Sequence, residues 1–285
     1  MAYDNMLATS LHISAWNGAK LDVRATTETL VAKRADRDAG RFTKLLVEKN
    51  RLAPVMYAHN KARKDFQRLT LPFAHGMGIV SGAMFDEFRT TMVADRAAFD
   101  AAADTFADVA YPLALAEASQ RLGALYDAAE FPSQAAVRRK FAFKLRIMPI
   151  SAPAEMKLNA VFGGVEQQLR EEYAAQLDEQ LAEAQADVWR RVLEPTVKFV
   201  EAMQGGGVFK ASTVQNMQEM AELAPRMLVQ NDPVLQALCD RLRTATFGLT
   251  ADGLRADEAE RATAAANVAQ IAADMERRLA WMRPR

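Results

Sequence analysis

Cys239 is the only cysteine in the chain, so neither an intramolecular disulfide nor a cysteine-built metal site can form. It falls in an apolar helical pattern and is expected to be a buried small hydrophobe. Histidine is nearly as scarce. His12, His59 and His75 all lie towards the N-terminus, and none has zinc-protease spacing. A Gly-x-Ser-x-Gly elbow, a kinase motif set and a Walker lysine are all missing. The glycines of residues 71–82 do not end in Gly-Lys-Ser/Thr and lack the spacing of a dinucleotide fingerprint, so that stretch reads as a structural loop. No apolar run approaches twenty residues, and no basic segment followed by an apolar core opens the chain. Neither a membrane span nor a secretory signal is expected, and a cytoplasmic location is. Net charge is zero, so no overall field attracts polyanions.

The chain does have segregated charge. Residues 20–68 hold thirteen Lys or Arg against six Asp or Glu, and 131–150 hold five bases and no acid. Between and after them, 82–130 carry nine acids to three bases and 155–188 eight to two. Such blocks can give a neutral protein a positive face.

The second basic block contains the most suggestive stretch, Arg138-Arg139-Lys140-Phe141-Ala142-Phe143-Lys144-Leu145-Arg146-Ile147. From Lys140 onward it alternates strictly, which predicts a half-buried strand. Phe141, Phe143, Leu145 and Ile147 would face a core. Lys144 and Arg146 would share the wet face about 7 Å apart, twice the strand rise. That is close to phosphate spacing along a nucleic acid. Blocking edge-to-edge aggregation is a sufficient alternative reason for such cations.

Leu11–Trp16 and Ala19–Arg24 flank Asn17-Gly18, the favoured type I′ pair, and predict a hairpin. With the basic strand it would form a small sheet. Thr26–Asp38, Arg41–Arg51 and a segment starting at Pro54 read as helices. The third carries Lys61, Arg63, Lys64 and Arg68, with Lys61, Lys64 and Arg68 on one face. Residues 83–110 form a long Ala-rich pattern with Phe85, Phe88, Met92, Phe99 and Phe106 as its core stripe, interrupted at Asp95 and Arg96. Asp100, Asp104 and Asp108 read as a solvated face, since no calcium-loop pattern surrounds them.

Pro149 and Pro153 end the basic strand. Residues 155–203 are then helical in pattern, broken at Gly163-Gly164, with a kink expected at Pro195. Leu169, Tyr173, Leu177 and Leu181, continued by Val188 and Leu193, form an apolar seam that fits a helical hairpin, a coiled coil or a homo-oligomer interface, or simply a core-facing stripe. Gly205-Gly206-Gly207 reads as a hinge, followed by Val208, Phe209 and Lys210. Further helices are expected from Ser212 to about Gln230, from Asp232-Pro233, and from Ala256 to Met282, with a turn at Thr250–Gly253. Arg277, Arg278, Arg283 and Arg285 end the last one, where they offset its dipole or provide a second contact for an anion.

The fold class expected is mainly α with a small antiparallel β-sheet (α+β), divided into residues 1–150, with the hairpin and basic strand, and a helical region 151–285. The candidate nucleic-acid contacts are Arg138, Arg139, Lys140, Lys144, Arg146, Lys61, Arg63, Lys64, Arg68 and Lys210. Phe209 is a candidate for stacking on a base, ahead of Phe141, which the alternation assigns to the core.

The arrangement of Leu71-Pro72-Phe73 and Gly76, the Phe-rich helix to Tyr111-Pro112, the Arg138–Ile147 strand and the Leu11–Trp16 strand resembles an uncharacterised phage family encoded beside MoxR-type ATPases and von Willebrand-type proteins. Within that set the chain is most similar to the Drc-like single-stranded DNA-binding proteins of podoviruses that package their own RNA polymerase. The likeness covers roughly the first 150 residues and transfers no individual functional residue. It implies a non-enzymatic single-stranded DNA binder acting in early phage transcription or replication, with a fold unlike the usual binding barrels. A second reading is an adaptor for a phage ATPase or RNA polymerase, motivated by the acidic helices and the apolar seam. A third is an enzyme whose site is assembled from residues distant in sequence.

Overall fold

The structure is a computed structural model describing residues 5–153, 165–205 and 209–282. The expected break at Gly163-Gly164, the hinge residues Gly206 and Gly207, Val208, Arg283 and Arg285 lie outside the described residues. The fold is mainly helical with small antiparallel pairings, as the residue patterns predict.

Strands β1 (Met6–Ser14), β4 (Leu71–Phe73), β5 (Met77–Ser81) and β6 (Ala142–Pro149) make one sheet in the order β4-β5-β1-β6. β1 and β5 run antiparallel, with Met6 opposite Ser81 and Thr9 opposite Gly78. Strands β2 (Ala19–Leu21) and β3 (Thr43–Leu45) pair antiparallel as a second sheet. The hairpin predicted at Asn17-Gly18 is therefore not formed, because β1 pairs with β5 and β6 and β2 pairs with β3.

Local geometry explains that difference. A type I′ turn needs positive φ at both central residues, and here only Gly18 has it, at 67°. The Asn17 side-chain oxygen instead accepts the N–H of Ala19, while the Gly18 carbonyl accepts that of Leu46. A Cβ on Gly18 would lie 2.9 Å from Leu52 Cδ1, so the glycine serves close packing. The hairpin lies at β4–β5, in the stretch expected to be a loop. It is turned by Ala74–Gly76, where His75 and Gly76 have φ of 53° and 74°.

The chain clusters into two compact units, and neither is continuous. The first comprises residues 1–10, 67–88 and 147–285; the second comprises 11–66 and 89–146. The sequence pattern instead suggests a boundary near residue 150, where Pro149 and Pro153 follow the basic strand.

In the second unit, α1 (Val23–Lys33) is capped by Asp22, whose carboxylate accepts the Ala25 N–H. The predicted helix over 41–51 is replaced by β3. Helix α2 then starts at Lys49 and runs to Leu69, with Pro54 near its beginning. Helix α3 (Phe85–Thr105) passes through a π-turn at Phe106–Ala110 into α4 (Tyr111–Leu122), and α5 (Gln134–Arg138) precedes β6. Apolar residues of β1, α2, α3, the π-turn, α4, α5 and β6 meet in a core of Ile13, Leu52, Val55, Ala62, Phe99, Phe106, Tyr111, Val137 and Phe143. Trp16 packs edge-on against Phe106 and Tyr111.

In the first unit, α6 (Glu166–Gln204) packs against β4, α7 (Ala211–Met227) and α10 (Glu258–Met282). Helices α8 (Pro233–Thr246) and α9 (Ala251–Ala256) complete it. Pro195 lies within α6 without ending it. Asp232 caps α8 through the Leu235 N–H, with Pro233 at the first turn, as predicted. The other Asp232 oxygen accepts from Gln185 Nε2 and from Trp189 Nε1, so one carboxylate satisfies three buried donors. Leu177, Leu181 and Val188 are buried, which makes the seam a core-facing stripe over those positions. Cys239 is buried, and burial pushes its thiol up to about 12. No helix among the described residues is long and apolar enough to cross a membrane.

Candidate nucleic-acid interface

β6 is an edge strand, and its alternation is what the sequence predicts from Ala142 to Leu145. Phe143 is buried against Phe99, and Leu145 packs on the same core. Lys144 and Arg146 are exposed. The alternation then lapses: Ile147 is exposed too, although it was expected to face the core. Lys140 also differs from expectation. Residues 139–140 form a turn after α5, so the strand begins two residues later than its pattern suggests.

On the neighbouring strand β1, Leu11 and Ile13 belong to the same core as Phe143. Successive side chains alternate across a sheet, so exposed His12 shares the open face with Lys144 and Arg146. Arg139, Lys140, Lys144 and Arg146 are all exposed, and none forms an ion pair with a described residue. Arg138 does not join them. Its guanidinium is held by Asp108, with Asp104 3.6 Å away, which takes up two of the three aligned carboxylates of that helix face.

The cations of α2 divide in the same way. Lys61 lies 2.6 Å from both Asp65 and Asp95, and hydrogen bonds to those two carboxylates raise its pKa. Asp95 is only 3% exposed, which explains the acid that interrupts the apolar stripe of α3. Arg68 is engaged by Glu87 and Glu219. Arg63 and Lys64 are exposed and form no ion pair with the described residues. Of the face predicted from Lys61, Lys64 and Arg68, only Lys64 is thus uncommitted.

Phe209 is half-buried and has Arg255 5.1 Å over its ring, with the same guanidinium donating to the Phe209 carbonyl. A base stacking on that face of the ring would compete with the arginine. Phe141 meets Phe106 edge-on, as a core residue should. Lys210 is exposed at the start of α7 and unpaired with the described residues. The aromatic residue the sequence reading overlooked is Tyr57. It is 73% exposed and stands four residues before Lys61 and seven before Lys64, on the outward face of α2. The signal was available: Val55, Ala58 and Ala62 set the inward face, and Tyr57 falls opposite.

A separate polar cleft in the first unit gathers Arg68, Glu87, Glu219, Glu222, Arg226 and Arg243. Most of its charges are matched: Arg68 and Arg226 bind Glu87, Arg68 binds Glu219, and Arg243 binds Asp240. The groups lining it include no hydroxyl, thiol or imidazole. Among the described residues, no cluster of His, Cys, Asp and Glu could hold a metal ion. Comparison of the chain with protein-family models, curated proteins and solved structures finds no match.

Proposed function

We propose that the protein is a non-enzymatic, largely sequence-independent single-stranded DNA-binding protein, of the kind phages use in early transcription or replication. The observation that carries this reading is the group Arg139, Lys140, Lys144 and Arg146. It gives four exposed cations within eight residues, at a sheet edge, with no carboxylate partner among the described residues. On the strand itself, the wet-face spacing of Lys144 and Arg146 suits a phosphate backbone, and Arg139 and Lys140 precede them in the turn after α5. Lys64, Arg63 and Tyr57 on α2 supply a second surface, on which Tyr57 would stack a base for about 1–3 kcal/mol. Lys61, Arg68 and Arg138 have no part in it, because their charge is already answered. Non-specific contact of this kind discriminates little between bases, since phosphates carry no sequence information.

Gel-shift titration with single-stranded DNA at two salt concentrations tests the reading. Four phosphate contacts predict a log–log salt slope of roughly −3. A shift that vanishes in the double variant Lys144→Glu, Arg146→Glu supports it. Failure to shift DNA at low salt overturns it.

A further inference from the structure

We infer that α1 and the turn after it form a docking groove for an acidic amphipathic peptide segment of another protein. This inference is independent of the DNA reading. The helix has 11 residues, of which Ala25 alone is buried. Helices this short are marginal by themselves and usually depend on burying an apolar face. Here that face is left open: Val23 is 69% and Val31 71% exposed, and Leu21 is exposed beside them. With Leu30, these residues line a groove of about 600 Å³ whose far wall is the 35–41 turn.

The charge of the groove selects its occupant. Arg37 and Arg41 line it, no carboxylate does, and neither arginine pairs with a described residue. An apolar trough bordered by two free guanidiniums complements a peptide whose Leu- or Phe-type residues recur at helical spacing beside Asp or Glu. Its open form, with Val23 and Val31 more than half exposed, suits a segment laid along it rather than an enclosed small molecule.

The test is selection of short randomised peptides on the full-length chain, followed by affinity measurement by fluorescence anisotropy. Enriched peptides should combine apolar residues with Asp or Glu. Their binding should weaken about tenfold or more in Val31→Asp and in the double variant Arg37→Glu, Arg41→Glu. It should be unchanged in the Lys144→Glu, Arg146→Glu variant, which separates this groove from the DNA surface. Val31 is exposed, so its variant should keep the wild-type melt. Enrichment without an acidic bias, or binding indifferent to the groove variants, overturns the inference. So does a Val31-dependent dimer in light scattering, or Val31-dependent sedimentation with anionic vesicles, since each assigns the face to a different occupant.

Discussion

Lys44 is a buried cation answered on two sides, 2.8 Å from Asp22 and 2.5 Å from Glu130. Burial alone would lower its pKa, but the hydrogen bonds to the two carboxylates outweigh that and raise it. Asp22 is held below its ordinary 3.8, first by the Ala25 N–H it caps and then by the Lys44 ammonium. A depressed carboxyl contributes stability that is present above the unfolded value and is lost as pH falls through the folded one. The difference in melting temperature between wild type and Asp22→Asn should therefore be full at neutral pH and should close as pH drops below 3.8. A gap that stayed constant down to the acid limit would show that the ionised form is not what matters. Lys61 makes the converse case. Removing it by Lys61→Met strands Asp95, and stability should fall by about 1–3 kcal/mol in urea titration. DNA affinity should not change, because that charge is not on offer. Asp95 was visible in the sequence as an acid inside a phenylalanine stripe. Its partner was not, because Lys61 lies thirty-four residues earlier and only the packing of α2 on α3 brings them together.

At the level of elements, β6 separates packing from charge residue by residue. Phe143→Ala should cost about 3–5 kcal/mol by opening the core beside Phe99. Reversing Lys144 and Arg146 should leave the circular-dichroism melt in place while weakening DNA binding. Equal losses of stability in the two variants would mean that both faces of the strand are structural. The strand was legible because period-two alternation is local, and so was the cap-and-proline start of α8. The hairpin was misplaced because Asn-Gly is only a preference. At Asn17-Gly18, tertiary contact with Leu46 and Leu52 sets the backbone, while His75-Gly76 turns the strands without the favoured pair. Gly18→Ala should accordingly destabilise by about 1–3 kcal/mol, through φ and the Leu52 contact together. The polar face of α2 was legible as a pattern, and so was the Lys61–Asp65 pair four residues apart, but the second partner of Lys61, Asp95, comes from another helix and was not.

For the molecule as a whole, the division into units matters most. Residues 67–88 carry Leu69, Leu71, Ile79 and Phe88, all buried, and belong with 147–285. A fragment ending at residue 150 leaves that apolar surface without α6 and α7, and a fragment starting at 151 lacks β4 and β5. Each fragment alone should bind a hydrophobic dye and melt without a cooperative transition, whereas co-expression should restore one. Two separately cooperative fragments would contradict the discontinuous assignment. Composition could not reveal this, because charge blocks follow the chain and the units do not.

The three tryptophans stand in three different surroundings. Trp189 is fully enclosed and donates to Asp232, Trp16 lies among the rings of the second unit, and Trp281 is exposed beside Arg278. Each unit thus holds its own built-in fluorophore, and a third reports on solvent. Replacing Trp281 and either of the others by phenylalanine would leave a single emitter. Its colour and quenching by iodide would then follow the melting of one unit at a time, with no label attached.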